Sequence, residues 1–446
     1  MLIKSVSGIR GIVGDGLDPS VVINFAAKFG EFSRVGKIVV GRDSRNTGIA
    51  LKNAVISALL GVGIDVIDID LAPTPTLLYN VKKLNASGGI VITASHNSAE
   101  WNALKLVGSG GEFLNKKEAE KFFLLEKENI SWNSADNYGG LEIYKEAVKN
   151  HIEGVLSTPG IDSELIKKRK FKVALDCVNG GASLAFQEFL NALNIEIYPI
   201  FCDASGNFER VPEPRSENLT DLAEKVKEAN ADIGFATDPD GDRISIVSED
   251  GIPIGEEYTI TLAAKAVLDK KKGPVVVNLS TTKSVEDIAK RAGVPFYRSP
   301  VGEANVVTEM REKKAIIGGE GNGGVINPEI QYTRDGMGAM AIILQYLAEE
   351  NQSLSDIVKG LPRYKMIKEA LKFENINEGK NLLEKIKNTN KNKNLDLRDG
   401  IRITEDDNWV HVRMSGTEPI LRIIAEAPTI NKAKSLVEFI KSQGAK

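Results

Sequence analysis

Two cysteines, Cys177 and Cys202, are all that this chain of 446 residues contains. That count excludes a disulfide-stapled framework, although the two could still pair with each other. The opening segment, Met1 to Arg10, has no apolar core of signal-peptide length. No stretch reaches the roughly 18 uninterrupted apolar residues needed to span a bilayer. Both thiols are therefore read as reduced, the location as cytoplasmic, and a membrane is not expected as a partner. An excess of basic charge is missing too, with 57 Lys and Arg against 61 Asp and Glu and a net charge of −4. Bulk electrostatics give no reason to expect nucleic acid, so any anion must be held by a local site.

What is present is an ordinary globular composition, 42% hydrophobic and 26% charged. The length is too great for one core and suits three or four domains. An α/β order runs through the chain three times: strand, helix, strand, helix, strand. The first block has strands at Ile38–Val40, Val66–Ile69 and Gly89–Thr93, with helices at Leu51–Leu60 and Leu77–Leu84. The second has strands at Val173–Leu175, Ile195–Ile200 and Asp232–Ala236, with helices at Ser183–Leu193 and Leu219–Ala229. The third has strands at Val275–Leu279, Phe296–Arg298 and Ala315–Ile317, with helices at Val285–Ala292 and Asn305–Arg311. Such alternation predicts parallel pairing with helices on both faces of each sheet. Beyond Leu361 the pattern changes to short strands at Ile401–Thr404, Val410–Met414 and Leu421–Glu426, closed by a helix at Asn431–Gln443, a smaller α+β domain.

Each third strand runs into a loop that does not look like scaffold. Ligands of open α/β sheets sit outside the carboxyl ends of strands, so three equivalent loops could face one cleft. In Asp238-Pro-Asp-Gly-Asp-Arg243 three carboxylates alternate, which is unfavourable unless a cation neutralises them, and a hard divalent ion fits. A calcium loop would need Gly where Arg243 stands, and a solvated acidic turn is the plainer alternative. In Thr93-Ala-Ser-His-Asn97 a hydroxyl ends a buried strand with His96 beside it. A turn or helix cap is the ordinary reading of such a serine. A hydrolase is disfavoured, because no Gly-x-Ser-x-Gly surrounds Ser95, and His151 and His411 lie in segments without motif character. With a metal loop at the equivalent place in the next block, a phosphoryl-carrying Ser95 reads better. Phosphoryl transfer needs cations around the spread charge, for which Arg10, Lys105 and Arg243 are candidates. Gly319-Glu-Gly-Asn-Gly-Gly324 lacks dinucleotide spacing. It is either a tight turn or a loop whose Glu320 and Asn322 suit sugar hydroxyls. Arg413-Met-Ser-Gly-Thr-Glu-Pro-Ile-Leu-Arg422 collects two arginines, Ser415 and Thr417 around a turn opened by Gly416. It fits a phosphate held by guanidinium forks and backbone amides, against a turn with chance arginines.

Together these loops resemble those of the α-D-phosphohexomutase superfamily over the whole chain, and Ser7-Gly-Ile-Arg-Gly11 and Gly41-Arg-Asp-Ser-Arg45 are similar to its N-terminal segments. The resemblance implies three topologically related mixed α/β domains and a C-terminal α+β domain of TATA-binding-protein-like fold around one cleft. The expected divisions are 1–140, 141–250, 251–362 and 363–446. It implies that Ser95 is phosphorylated, and that Asp238, Asp240 and Asp242 bind Mg2+ together with a phosphoserine oxygen. Arg10, Lys105 and Arg243 would surround the transferring phosphoryl, with Lys105 a candidate proton carrier and His96 beside the serine. Arg413, Ser415, Gly416, Thr417 and Arg422 would grip the phosphate that is not reacting, on a domain that hinges. Two departures stand out: Ser98 replaces a frequent Pro, and Gly324 replaces a His that assists proton transfer in some subfamilies. Glu303 falls where subfamilies differ, and with the Glu-Gly-Asn-Gly-Gly loop it tips the substrate towards glucosamine phosphate.

The expected activity is thus an intramolecular phosphotransfer between hexose 6-phosphate and hexose 1-phosphate through a 1,6-bisphosphate, which also serves as activator. Phosphoglucosamine mutase is favoured over phosphomannomutase or phosphoglucomutase. A phosphosugar phosphatase and a non-catalytic phosphosugar-binding protein are the readings from other classes. The expected partner is the phosphosugar alone, with the chain a monomer or homodimer.

Overall fold

The computed structural model describes residues 2–33, 36–125, 128–415 and 419–443. The chain forms two compact units, one of Met1–Thr259 and Gly323–Lys359, the other of Ile260–Asn322 and Gly360–Lys446.

The first unit holds two mixed sheets. In the larger, strands Lys37–Arg42, Asp65–Leu71 and Gly88–Ile92 pair in parallel, as the first block predicts. Strand Trp101–Gly108 then returns antiparallel to Gly88–Ile92, and Gly8–Val13 adds antiparallel to it. The sequence pattern marks neither of these two strands. They place Arg10 and Lys105 on the second and third strands from one end of the sheet, at positions where a charged residue interrupts the apolar alternation. Helices cover both faces. Phe25, Phe29, Val55, Leu59 and Phe122 form one core, and Leu77, Leu78 and Val81 another. At about 1.5–3 kcal/mol for each such side chain fully buried, these layers fix the strand ends to which the loops are attached.

The second sheet has the order Glu196–Ile200, Lys172–Asp176, Ile233–Thr237, Ile244–Ser248, the first three parallel and the last antiparallel. The Asp238–Arg243 loop is therefore the tight connection between two neighbouring, fully buried strands. Gly241 sits at φ +71°, and a Cβ there would come within 2.9 Å of the Ala182 Cβ, so the loop's reversal requires glycine.

In the second unit, Val275–Asn278 pairs in parallel with Phe296–Ser299 and with Ile317–Glu320. The third block's last strand was expected at Ala315–Ile317. It runs instead to Glu320, because Gly318 and Gly319 pair with Val276 and Val277. Glycines carry no hydrophobic signal, yet at Gly318 a side chain would strike the Met310 sulfur and the Val276 carbonyl. Gly319 and Glu320 are thus strand, not loop. The C-terminal region is a five-stranded antiparallel sheet, Lys365–Lys372, Ile420–Ala427, Asn408–Met414, Ile401–Glu405, Asn394–Asp396. Helices Ile376–Thr389 and Ile430–Ser442 cover it through Leu382, Ile386, Val437 and Ile440. Among the described residues, no helix is long and apolar enough to cross a membrane.

Candidate functional site

In the first unit Ser95 is buried at the end of Gly88–Ile92 and has φ +50°, a backbone state that a serine adopts only when its surroundings impose it. The constraint is visible. Arg45 donates from Nη2 to the carbonyls of Ser95 (2.7 Å) and Asn97 (2.6 Å), and from Nη1 to those of Ser98 and Trp101. Asp43 fixes Arg45 through its Nε at 3.0 Å and also accepts from Thr93 Oγ1, which in turn accepts from the Ser95 amide. The serine hydroxyl donates to Asp238 Oδ2 at 3.1 Å and lies 3.3 Å from His96 Nδ1. Arg243, burial and Arg10 together push the His96 ring well below 6.5, so it is neutral at physiological pH.

The three aspartates are fully buried and share one geometry. Each uses Oδ2 on a partner from the chain: Asp238 on Ser95, Asp240 on Lys105 Nζ (2.6 Å) and Thr74 Oγ1 (2.8 Å), Asp242 on Arg334 Nη2 (2.5 Å). Each leaves Oδ1 buried without a hydrogen-bond partner. Among the described residues, this is the group whose ligand atoms, all within 4.8 Å of one another, could share a metal ion. Burial, then Asp242 and Asp240, push the Asp238 carboxyl well above its ordinary value. Burial would raise Asp240 too, but Lys105 and Thr74 hold it well below the usual carboxylate range. Three buried carboxylates with unpaired oxygens fit a hard divalent cation that takes oxygen ligands.

Cations ring the serine and the aspartates. Arg243 Nε is 3.6 Å from Asp238 Oδ2 and from Asp242 Oδ1, and Arg10 donates to Asn97 Oδ1 at 2.8 Å. Asp43, Arg45, Thr74 and Arg334 complete the arrangement. The sequence offered a signal for the first two only, in Gly41-Arg-Asp-Ser-Arg45.

The second unit carries the remaining candidates. Glu320 Oε1 accepts from Asn278 Nδ2 (2.7 Å) and the Gly302 amide (3.1 Å), next to Glu303 at the start of helix Glu303–Lys313. Asn322 follows on the loop and is half-buried. Arg413 and Arg422 lie directly opposite each other on adjacent antiparallel strands, and the Ser415 amide donates to the Ile420 carbonyl. Like charges so placed repel unless an anion lies between them. Asp399 Oδ2 meets Arg413 Nη1 at 3.1 Å, a contact that the sequence did not signal. Gly416 and Thr417 lie outside the described residues.

An α/β chain with a strand-end serine hydrogen-bonded to a buried carboxylate triad is built as a phosphohexomutase. Comparison with known proteins agrees. The four domain models of the phosphoglucomutase/phosphomannomutase family match in order: α/β/α domain I over residues 1–124, domain II over 149–251, domain III over 255–364, and the C-terminal domain over 365–443. A phosphoglucomutase/phosphomannomutase of Thermococcus kodakarensis is 38% identical, with 97% of this chain and 96% of that protein covered. A phosphoglucosamine/phosphogalactosamine mutase of Sulfurisphaera tokodaii is 36% identical, with 97% of each covered. The crystal structure of a phosphoglucomutase/phosphomannomutase family protein from Burkholderia thailandensis superposes with a TM-score of 0.85 at 25% identity, covering 99% of this chain and 97% of that one. The chain belongs to the phosphoglucomutase/phosphomannomutase family, within the α-D-phosphohexomutase superfamily. It is an isomerase.

Proposed function

We propose that the protein interconverts hexose 6-phosphate and hexose 1-phosphate, with glucosamine phosphate the preferred substrate, by phosphoryl transfer through Ser95. The observation that carries this reading is the Ser95 hydroxyl 3.1 Å from Asp238, beside three converging buried carboxylate oxygens that accept no hydrogen bond.

Asp238, Asp240 and Asp242 would hold Mg2+ together with an oxygen of phospho-Ser95. The ion would supply Lewis-acid stabilisation of the phosphoryl charge. In the first half-reaction the bond from phosphorus to Ser95 Oγ breaks as one forms to a substrate hydroxyl. The hydroxyl proton ends on Ser95 Oγ, and the product is a 1,6-bisphosphosugar. In the second, the bond from the other phosphorus to its sugar oxygen breaks as one forms to Ser95 Oγ, and the serine proton passes to that sugar oxygen. Arg10 and Arg243 balance the equatorial oxygens. Lys105 is the proposed proton carrier, and neutral His96 faces Oγ with a ring nitrogen. Gly324 stands where a His helps proton transfer in some subfamilies, so that role is either absent here or filled by another group.

Substrate roles go to Glu303, Glu320 and Asn322 for the sugar and to Arg413, Ser415, Gly416, Thr417 and Arg422 for the non-reacting phosphate. A carboxylate able to meet the substrate's ammonium supports the glucosamine preference, as do relatives named for glucosamine phosphates. The same proposal includes the four divisions at 1–140, 141–250, 251–362 and 363–446, a cytoplasmic location, a 1,6-bisphosphate activator, and a monomer or homodimer that binds neither nucleic acid nor membrane.

The test is peptide mapping of the purified protein for phosphate on Ser95, followed by a mutase assay on glucosamine, glucose and mannose phosphates with Mg2+ and a trace of bisphosphate. Phosphoserine with fastest turnover of glucosamine phosphate is expected. Preference for glucose or mannose phosphate overturns the substrate, and absence of both phosphoserine and isomerisation overturns the mechanism. In Ser95→Ala turnover should vanish while phosphosugar binding persists.

A further inference from the structure

His151 has no part in the chemistry above, yet it is wholly buried and makes polar contacts at both ring nitrogens. It comes from helix Ala147–Leu156 and reaches the starts of two other helices. Its Nδ1 lies 2.9 Å from Thr76 Oγ1, in the first turn of helix Thr74–Lys83. Its Nε2 lies 2.8 Å from Asp335 Oδ2, the residue whose other oxygen caps helix Gly336–Glu350 through the Gly338 amide at 3.0 Å. Burial would raise Asp335, but His151 draws it below its ordinary value, so an ionised carboxylate faces the ring. Gln331 doubles the tie, donating from Nε2 to Asp335 Oδ2 (2.9 Å) and the Pro75 carbonyl (3.2 Å).

The two helix starts joined in this way are the ones that grip the aspartate loop. Thr74 donates from Oγ1 to Asp240 Oδ2 and from its amide to the Asp240 carbonyl at 2.8 Å. Arg334, next to Asp335, holds Asp242 Oδ2, and the Gly336 amide donates to the Gly241 carbonyl at 3.2 Å. His151 is thus a crossbar two residues from one grip and one residue from the other. If either helix start drifts, the Oδ2 it holds is released, and the facing Oδ1 rotates with the carboxylate.

We infer that His151 is a positioning residue of the cation site, acting through Thr76 and Asp335 on Thr74 and Arg334 to keep Asp240 Oδ1 and Asp242 Oδ1 aimed at a shared divalent ion. The inference rests on the cation site of the proposed function. Groups that orient the ligands of a metal typically change its affinity about 10- to 100-fold when removed.

The experiment measures Mn2+ binding to the full-length protein by electron paramagnetic resonance of the free ion, with the melting temperature of every variant recorded. His151→Leu should weaken Mn2+ binding about 10- to 100-fold. His151→Gln, which keeps a donor towards Asp335, should recover much of the loss. Phe29→Leu, in the core of helix Pro19–Ser33, serves as a control that lowers the melting temperature with Mn2+ affinity intact. If His151→Leu does not fold, Thr76→Val removes one contact of the crossbar and should weaken binding severalfold. Wild-type affinity in His151→Leu or in Thr76→Val overturns the inference, as does an equal loss in Phe29→Leu. A wild-type protein with no stoichiometric Mn2+ site abolished by Asp242→Asn overturns the cation site itself. That outcome is separate from a site that binds normally whatever stands at 151.

Discussion

Arg45 donates to the carbonyl oxygen of Ser95 at 2.7 Å, and the serine it holds has φ +50°. A guanidinium fork that serves one carboxylate and four carbonyls at once keeps the serine in a conformation it would otherwise leave. Lysine has the charge without the fork. Arg45→Lys is expected to lower kcat by about 100-fold or more, as misplacement of a reacting atom by about 1 Å does. Mn2+ affinity should change much less. Steady-state kinetics and Mn2+ titration on one preparation check this, and a near-normal kcat would remove Arg45 from any positioning role.

A divalent ion that binds only the folded protein raises its stability. With three orphaned carboxylate oxygens waiting, Mg2+ at 100 times its Kd should add about 2.7 kcal/mol. The melting temperature should therefore rise with Mg2+ and fall with a chelator. In Asp242→Asn the Mg2+-dependent rise should disappear. A shift of the same size in wild type and variant would place the ion elsewhere.

The facing pair Arg413 and Arg422 predicts a ligand effect. Loss of one charge-assisted contact to phosphate is worth about 1.5–3 kcal/mol, so Arg413→Gln should raise KM for the phosphosugar roughly 10- to 100-fold. Inorganic phosphate should compete with substrate in wild type and much less in the variant. Unchanged KM would show that this strand pair does not carry the phosphate.

His411 links pH to stability. Burial pushes its pKa down to about 4, against the upward pull of the Asp399 carbonyl, which accepts from Nε2 at 2.6 Å. Its Nδ1 faces Ser280 Oγ at 2.9 Å. The unfolded ring, with a pKa near 6.5, binds a proton more readily than the folded one. The resulting stability is fully present above about pH 6.5 and is lost as pH falls towards 4, up to about 3 kcal/mol. Denaturant midpoints measured between pH 4 and 7 should show this slope, and His411→Gln should flatten it.

Much of the site was readable because its chemistry is local. Asp238, Asp240 and Asp242 stand within five residues after an apolar strand, and three like charges so close demand a partner whatever the fold. Ser95 is marked by the same strand-end position. Thr74 and Arg334 leave no mark in the sequence, because a single hydroxyl and a single arginine carry no pattern. The strands Gly8–Val13 and Trp101–Gly108 were missed because Arg10 and Lys105 break their alternation, and those residues are charged because they meet the site.

The three α/β blocks, the fourth α+β region, the family and the chemical character of each loop are legible in the chain alone, since hydrophobic period and motif spacing are properties of neighbouring residues. Folding in three dimensions sets which oxygen of each aspartate accepts no hydrogen bond, that Arg45 holds Ser95 in a left-handed backbone, and that His151 ties two helix starts together. Those facts depend on groups from 50 to more than 180 positions apart being brought within hydrogen-bonding distance. Short-range order cannot encode such meetings, because the packing of whole sheets and helices fixes where each side chain finds its partner.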